Sequence, residues 1–258
     1  MKARRIQIVS TLTLILFAAA AAVGLLRYRC YAAEPETDSL DSGLILYLSF
    51  DAIDEISGQK LIIDESGLGN HGTLLSGKIG NALYCSAINK ADGVRIKDND
   101  TLDADAVTIA AWIKTEQIDG QWNRILDKGW KEGYNLCIGG DYKGETWYRS
   151  HSQLECAGAA VTSKMSVVDN QWHWVVGTYD GQTVKLYIDG KQDVERKSKK
   201  PIPMKPNDVD IMIGRLAVPE PVPYDHAFFD GMIDEVRLYN RVLSDAEIAE
   251  LYQNQQED

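Results

Sequence analysis

An all-β fold built from two packed sheets is predicted by three features of this sequence. From Gly43 onward the chain runs in short β-branched and aromatic stretches separated by turn residues, no long helical periodicity breaks the pattern before the last fifteen residues, and two Asp-Gly pairs bracket an alternating segment. The composition agrees. With 258 residues, 45% hydrophobic and 25% charged, there is material for a full core, and disorder, collagen and coiled coil are excluded.

Taken in order, strands are predicted at residues 44–50, 93–96, 107–114, 124–128, 134–138, 146–149, 172–179, 184–188, 209–214 and 231–239. The strongest local signal is the hairpin over residues 179–191. There Val184, Leu186 and Ile188 alternate onto one face, and Asp180-Gly181 and Asp189-Gly190 supply the positive φ angles of tight turns. Six of the seven prolines fall between residues 201 and 223 and mark rigid surface loops around one strand. A short helix closes the chain: Ser244 and Glu247 form a capping box, Leu243 staples against Ile248, and Ile248, Leu251 and Tyr252 share a face that packs on the sandwich.

The amino terminus reads differently. Lys2, Arg4 and Arg5 precede 21 uncharged residues, Ile6 to Leu26, which form a hydrophobic helix. Residues 1–33 are a signal peptide or a membrane anchor, residues 34–43 a linker, residues 44–252 the single domain and residues 253–258 a polar tail. The body is therefore expected to be exported, either secreted or at the cell surface, with membrane contact only through the leader if it is retained. Removing the leader takes five positive charges and no acids, moving the net charge from −11 to −16. So acidic a body repels phosphate backbones, which argues against nucleic acid as a partner. An oxidising compartment permits disulfides, and turn signals between Cys137 and Cys156 point to a bridge between those two, while Cys85 reads as a buried small hydrophobe.

Several segments, met in sequence, carry a resemblance. They are Leu48-Ser49-Phe50-Asp51, Asp64 through Gly72, Gly77 through Leu83, Ala111-Trp112-Ile113, Trp172-His173-Trp174-Val175, Leu186 through Gly190, Ile213-Gly214 and Phe229 through Arg241. Together they resemble the laminin-G-like jelly-roll domain of the concanavalin A-like lectin and glucanase superfamily, over residues 44–252. The resemblance implies a two-sheet antiparallel jelly roll whose relatives often bind one calcium and, in many cases, carbohydrate or other extracellular ligands. It implies no reaction. This chain departs from the family at Tyr84-Cys85-Ser86-Ala87, where Phe-Asp-Gly is common, and over residues 139–160, a longer and more polar excursion.

Three oxygen donors match the family's metal positions: Asp51, Asn70 and Asp234. Alternation over residues 231–239 puts Asp234 on the inward face with Val236 and Leu238, where a carboxylate needs a partner, and calcium accepts such mixed oxygen donors. The alternative is that these groups cap turns without metal. Ligand-binding residues are expected in the polar excursion, at Trp147, Tyr148 and Arg149, since sugars stack their apolar faces on exposed aromatic rings. An enzyme is not expected. The superfamily's hydrolases carry Glu-x-Asp-x-Glu on one strand and this chain has none; Asp103 and Asp105 lie in a turn, the four histidines are scattered, and no nucleophile elbow or phosphate loop occurs. The sequence thus favours a non-catalytic binding module for a glycan or cell-surface ligand, with an adhesive module that contacts proteins as the alternative and a glycoside hydrolase third.

Overall fold

The computed structural model describes residues 40–86, 92–116, 122–129, 133–139, 151–217 and 227–256. The leader, Trp147, Tyr148, Arg149 and the strand expected at 146–149 lie outside the described residues. Among those described, no helix is long and apolar enough to cross a membrane.

Among the described residues seventeen strands follow one another: β1 (Leu44–Leu48), β2 (Ile53–Ile56), β3 (Gln59–Ile62), β4 (Gly72–Ser76), β5 (Lys78–Ile79), β6 (Leu83–Cys85), β7 (Gly93–Ile96), β8 (Val107–Lys114), β9 (Asn123–Asp127), β10 (Tyr134–Ile138), β11 (His151–Cys156), β12 (Ala159–Ser166), β13 (Trp172–Tyr179), β14 (Thr183–Ile188), β15 (Lys191–Lys197), β16 (Ile211–Ile213) and β17 (Gly231–Tyr239). Helix α1 (Asp245–Asn254) ends the fold. All pairings are antiparallel. Eight strands form one sheet in the order β15-β14-β13-β8-β17-β6-β5, with β1 also on β17, and nine form the other in the order β12-β11-β10-β9-β16-β7-β4-β3-β2. The sandwich core lies between them, where Leu46, Leu48, Ile109, Ile113, Leu186 and Val236 of one sheet meet Val94, Leu126, Leu136, Leu154 and Ile213 of the other. Strands such as β11 and β14 send alternate residues into this core, as a half-buried pleat requires.

The expected hairpin is present as β13, β14 and β15. Asp189 (φ 51°) and Gly190 (φ 75°) both take positive φ, the pairing that a two-residue turn between twisted strands needs. Gly190 does a second job: a Cβ there would sit 2.7 Å from the Tyr252 ring, so the absent side chain is what lets α1 lie down on the turn.

Helix α1 forms as its cap predicts. Ser244 Oγ accepts from the Glu247 N–H at 3.3 Å, and the Glu247 carboxylate accepts from the Ser244 N–H at 2.7 Å and from Arg241 at 2.5 Å. Its apolar stripe, Ile248 and Leu251, packs with Leu243 on Ala110, Trp174, Val176, Tyr187 and Tyr239, which form the outer face of the eight-stranded sheet. This second, smaller core buries one half of that face.

The inward direction expected for Asp234 is corrected by β17 itself. Asp234 pairs with Trp112, but the next pair is Arg237 with Ala110, so β17 advances three residues while β8 advances two. The extra residue is Glu235, at φ 51°. The bulge shifts the alternation, so Ile233, Val236 and Leu238 face the core while Asp234 and Arg237 point outward.

The expected Cys137–Cys156 bridge is corrected too. Cys137 is opposite Gln153 and Cys156 is opposite Tyr134, which sets them three residues apart along the ladder and on opposite faces of the sheet. Both are free thiols, as is the buried Cys85. Burial raises all three, with Cys85 and Cys137 pushed up to about 12, so none is a ready nucleophile.

Three expected outcomes follow from these elements. Ser244→Ala should cost about 1 kcal/mol through loss of the cap. Burial acts to raise the Glu247 carboxyl, yet the bonds from Arg241 and Ser244 hold it down to about 2. Because this carboxyl is lowered on folding, its contribution is complete above 4.5 and fades as pH falls towards 2. The melting-temperature gap between the wild type and Glu247→Gln should therefore be wide at pH 7 and clearly narrower at pH 2.5; equal gaps would refute the assignment. At Glu235 the usual order of residues should invert. Gly relieves the left-handed strain and Ala does not, so Glu235→Gly should be more stable than Glu235→Ala by about 1 kcal/mol in urea melts.

Candidate functional site

Helix α1 leaves part of the eight-stranded sheet's outer face open, and the exposed part is chemically distinctive. One row runs straight across four strands: Tyr84 of β6 opposite Met232 of β17, Met232 opposite Lys114 of β8, and Lys114 opposite Trp172 of β13. Three of the four are large apolar side chains lying open to solvent, with relative exposures of 42% for Tyr84, 37% for Met232 and 38% for Trp172. Isolated apolar residues on a surface mean little, but three in a single cross-strand row form a ledge.

A cleft of about 360 Å³ lies along one side of the ledge, lined by Tyr47, Trp112, Trp172, Asp234, Glu235, Arg237 and Gln255. A smaller hollow of about 140 Å³ adjoins Tyr84, Met232 and Lys114, with Glu116, Asn170 and Asp230 on its walls. The cleft wall is fixed by a closed set of contacts. Tyr47 Oη donates to both Glu235 carboxylate oxygens at 3.0 and 2.8 Å, Arg237 Nη2 donates to Glu235 Oε2 at 2.8 Å, and the Arg237 guanidinium lies 4.0 Å from the Tyr47 ring centre. On the opposite side Trp112 Nε1 donates to Gln255 Oε1 at 2.7 Å, and its ring stacks on Tyr252 at 5.7 Å. Both Glu235 oxygens and the Arg237 charge are thereby committed.

Asp234 differs from its neighbour. Half-buried in the cleft wall, its carboxyl is raised to about 7 by burial first and then by the charges of Glu235 and Asp51, against the stabilising bond from the Glu235 N–H at 2.9 Å. Near neutrality it therefore both donates and accepts hydrogen bonds, as sugar hydroxyls do. Burial likewise lifts the Tyr47 hydroxyl well above the ordinary phenol range, so it remains a donor. Backbone strain marks the same corner: Phe50 (φ 62°) just before Asp51, and Glu235 just after Asp234, are both non-glycine residues in the left-handed region.

Of the three residues expected to share a calcium ion, Asp51 and Asp234 act on each other electrostatically, while the side chain of Asn70 sits in a hydrogen-bond network of its own. Asp51 is exposed beyond β1, near enough to Asp234 to affect its charge. Asn70 is committed elsewhere: its Nδ2 donates to Ile45 O at 2.8 Å and Thr101 Oγ1 at 3.0 Å, its Oδ1 accepts from Asn99 Nδ2 at 2.7 Å, and its N–H donates to Asp64 at 2.8 Å. Among the described residues, no three His, Cys, Asp or Glu side chains are grouped to hold a metal.

Other candidates take structural roles. Asp103 pairs with the buried Lys128 at 3.4 Å, and His173 lies within β13 with its two ring nitrogens 2.9 Å from Asp189 and 3.2 Å from Asp169. The ledge and cleft were missed in the sequence because they depend on register. One clue was available: Ile233 and Val236 are separated by three residues, a spacing that regular alternation cannot send to one face.

Comparison with known proteins agrees with this architecture. A family model described as the concanavalin A-like lectin/glucanases superfamily, laminin G type, matches residues 89–249. Human pappalysin-1 is 27% identical over 123 residues, which is 43% of this chain and 7% of that protein. Among solved structures, the binding domain of Paraclostridial Mosquitocidal Protein 1 superposes with a TM-score of 0.62 at 14% identity, covering 84% of this chain and 53% of that one. The receptor binding domain of botulinum neurotoxin C/D mosaic serotype gives 0.58 at 16%, covering 83% and 52%. Domain 4 of AbnA, a GH43 extracellular arabinanase from Geobacillus stearothermophilus solved with arabinotriose, gives 0.55 at 18%, covering 81% and 98%. This chain thus spans a small part of pappalysin-1 and about half of each toxin domain, and at such identities the structural likeness is one of fold. On the extent of the family match, the chain belongs to the laminin G branch of the concanavalin A-like lectin/glucanases superfamily.

Proposed function

We propose that this chain is a non-catalytic, exported saccharide-binding module, with residues 1–33 as its targeting or anchoring segment, and that its ligand lies on the open half of the eight-stranded sheet. The observation that carries this reading is the cross-strand ledge of Tyr84, Met232, Lys114 and Trp172 beside a polar cleft. Aromatic rings offer apolar faces for C–H stacking, and Asp234, Lys114 and Asn170 offer hydrogen-bonding groups within reach of the same surface. The arabinanase domain solved with arabinotriose and the toxin receptor-binding domain lend support, since both share the fold.

Hydrolysis is disfavoured by the cleft's own chemistry. Glycoside cleavage needs two carboxyl groups facing each other across the bond, one as acid and one as base or nucleophile. Asp234 and Glu235 are instead consecutive on one strand, and Glu235 is held by Tyr47 and Arg237. The adhesive alternative has one observation in its favour: β2, at the edge of the nine-stranded sheet, exposes Ile53 and Ile56. Light scattering of Ile56→Lys against the wild type tests it, since an adhesive edge should lose self-association or partner capture.

The principal test is a saccharide titration followed by tryptophan fluorescence. Trp172→Ala should weaken binding about tenfold, equivalent to about 1.4 kcal/mol, while leaving the melting temperature nearly unchanged because the ring is exposed. Undiminished affinity would remove the ledge from the site. The same titration in chelator should give the same affinity, since the calcium expected on Asp51, Asn70 and Asp234 has a structural role; loss of binding would tie that cation to recognition.

A further inference from the structure

We propose that this face takes an uncharged oligosaccharide along an internal stretch of its chain, laid across the strands from Tyr84 to Trp172, and that it discriminates against sugar acids. This rests on the saccharide reading above and specifies the class of sugar.

Length is the first argument. Tyr84 and Trp172 stand three strand spacings apart, about 14 Å at roughly 4.8 Å per spacing. That distance exceeds a single sugar ring. The row is also open on its flanks: the cleft under Trp172 continues towards Asp234 and Tyr47, and the hollow beside Tyr84 continues towards Asn170 and Asp230. A blind pocket would enclose a terminal sugar, whereas a ledge that has no end walls among the described residues accommodates a chain that passes over it.

Charge is the second argument. The cleft contributes Asp234 and Glu235, the hollow contributes Glu116 and Asp230, and Asp51 acts electrostatically on Asp234. Three cations stand against these five acids. Arg237 is spent on Glu235 and on the face of the Tyr47 ring, which leaves Lys114 in the middle of the row and Lys78 of β5, opposite Tyr84, at its end. A carboxylated or sulfated sugar would meet more carboxylates than available ammoniums. Selective recognition of an anionic ligand uses convergent cations, above all a guanidinium with free donors, and the one guanidinium lining the cleft already points its Nη2 into a carboxylate. Hydroxyl groups carry no such penalty and can bond to carboxylate, amide and ammonium alike.

A glycan array carrying neutral, sialylated, uronic and sulfated structures, probed with the full-length protein and with Trp172→Ala, tests the inference. The expected hits are neutral chains of two or more sugars, lost in Trp172→Ala, with monosaccharides at least tenfold weaker in follow-up calorimetry. Acidic glycans as the strongest hits would overturn the charge argument and leave the saccharide reading intact. Monosaccharides binding as tightly as chains would overturn the internal-stretch argument alone. An array with no hits from folded protein would remove the saccharide reading, and this inference with it. A charge variant separates repulsion from poor shape: Glu116→Gln should increase binding of trigalacturonic acid at low salt and leave neutral hits in place, and an unchanged acidic signal counts against the electrostatic mechanism.

Discussion

One edge of β17 is shared by two strands, and the site follows from the place where one gives way to the other. Residues 231–233 pair with β6, residues 236–239 pair with β1, and the two residues between them, Asp234 and Glu235, pair with neither. On its other edge β17 runs along β8 throughout. A strand whose partner changes midway has unpaired backbone at the junction, and an extra residue absorbs the mismatch as a bulge. Without that bulge the alternation would turn Asp234 into the sandwich core, where a carboxylate has no partner. With it, Asp234 and Arg237 stand outside, and Glu235 is aimed at Tyr47 on β1. The contact between Glu235, Tyr47 and Arg237 then fastens β1 to β17 at the point where their backbone pairing begins.

Helix α1 completes the arrangement by covering only half of the same face. Its docking depends on the turn between β14 and β15, where Gly190 makes room for Tyr252, and Tyr252 in turn stacks on both Trp112 and Trp174. Trp174 is thereby fully buried, while Trp172, two residues earlier on the same side of β13, lies beyond the helix and stays open. The distinction between core and binding surface on this sheet is therefore set by the length of ten helical residues rather than by any change in the character of the strands.

Much of the fold was legible in the sequence because it is written in local patterns. β7, β8, β10, β13 and β17 have the boundaries that alternation gives them, the Asp189-Gly190 turn forms as its φ requirements dictate, and the Ser244 cap starts α1. The short strands from β2 to β6 were missed, since two to five residues carry too little periodicity and their pairing is decided by distant partners, and so were β11, β12 and β15, whose polar and charged positions masked the alternation. The candidate site was legible only in part. Asp234 was singled out, but with the wrong orientation, because one extra residue reverses every face that follows it. The two cysteines failed for the same reason: spacing can bring two strands together, and only register decides whether thiols share a face. Tyr47, Trp172 and Tyr84 are separated by more than thirty residues, and nothing local connects them.

Mounting a site on a sheet rather than on loops has a physical consequence. Glu235 and Phe50 hold strained φ angles, and such strain persists only where the surroundings over-determine the backbone. Here they do. Phe50 is fully buried in the core between the sheets, and Glu235 is tied by two hydrogen-bonding partners from its own strand and its neighbour. A wall so constrained has little left to order when a ligand arrives, so binding there loses less to conformational entropy than binding to an adaptable loop. The same rigidity limits affinity, because a shallow ledge cannot close over what it holds. On the proposed reading, such a face would read the shape of a stiff, repeating chain at modest strength per contact, with successive rings meeting successive strands.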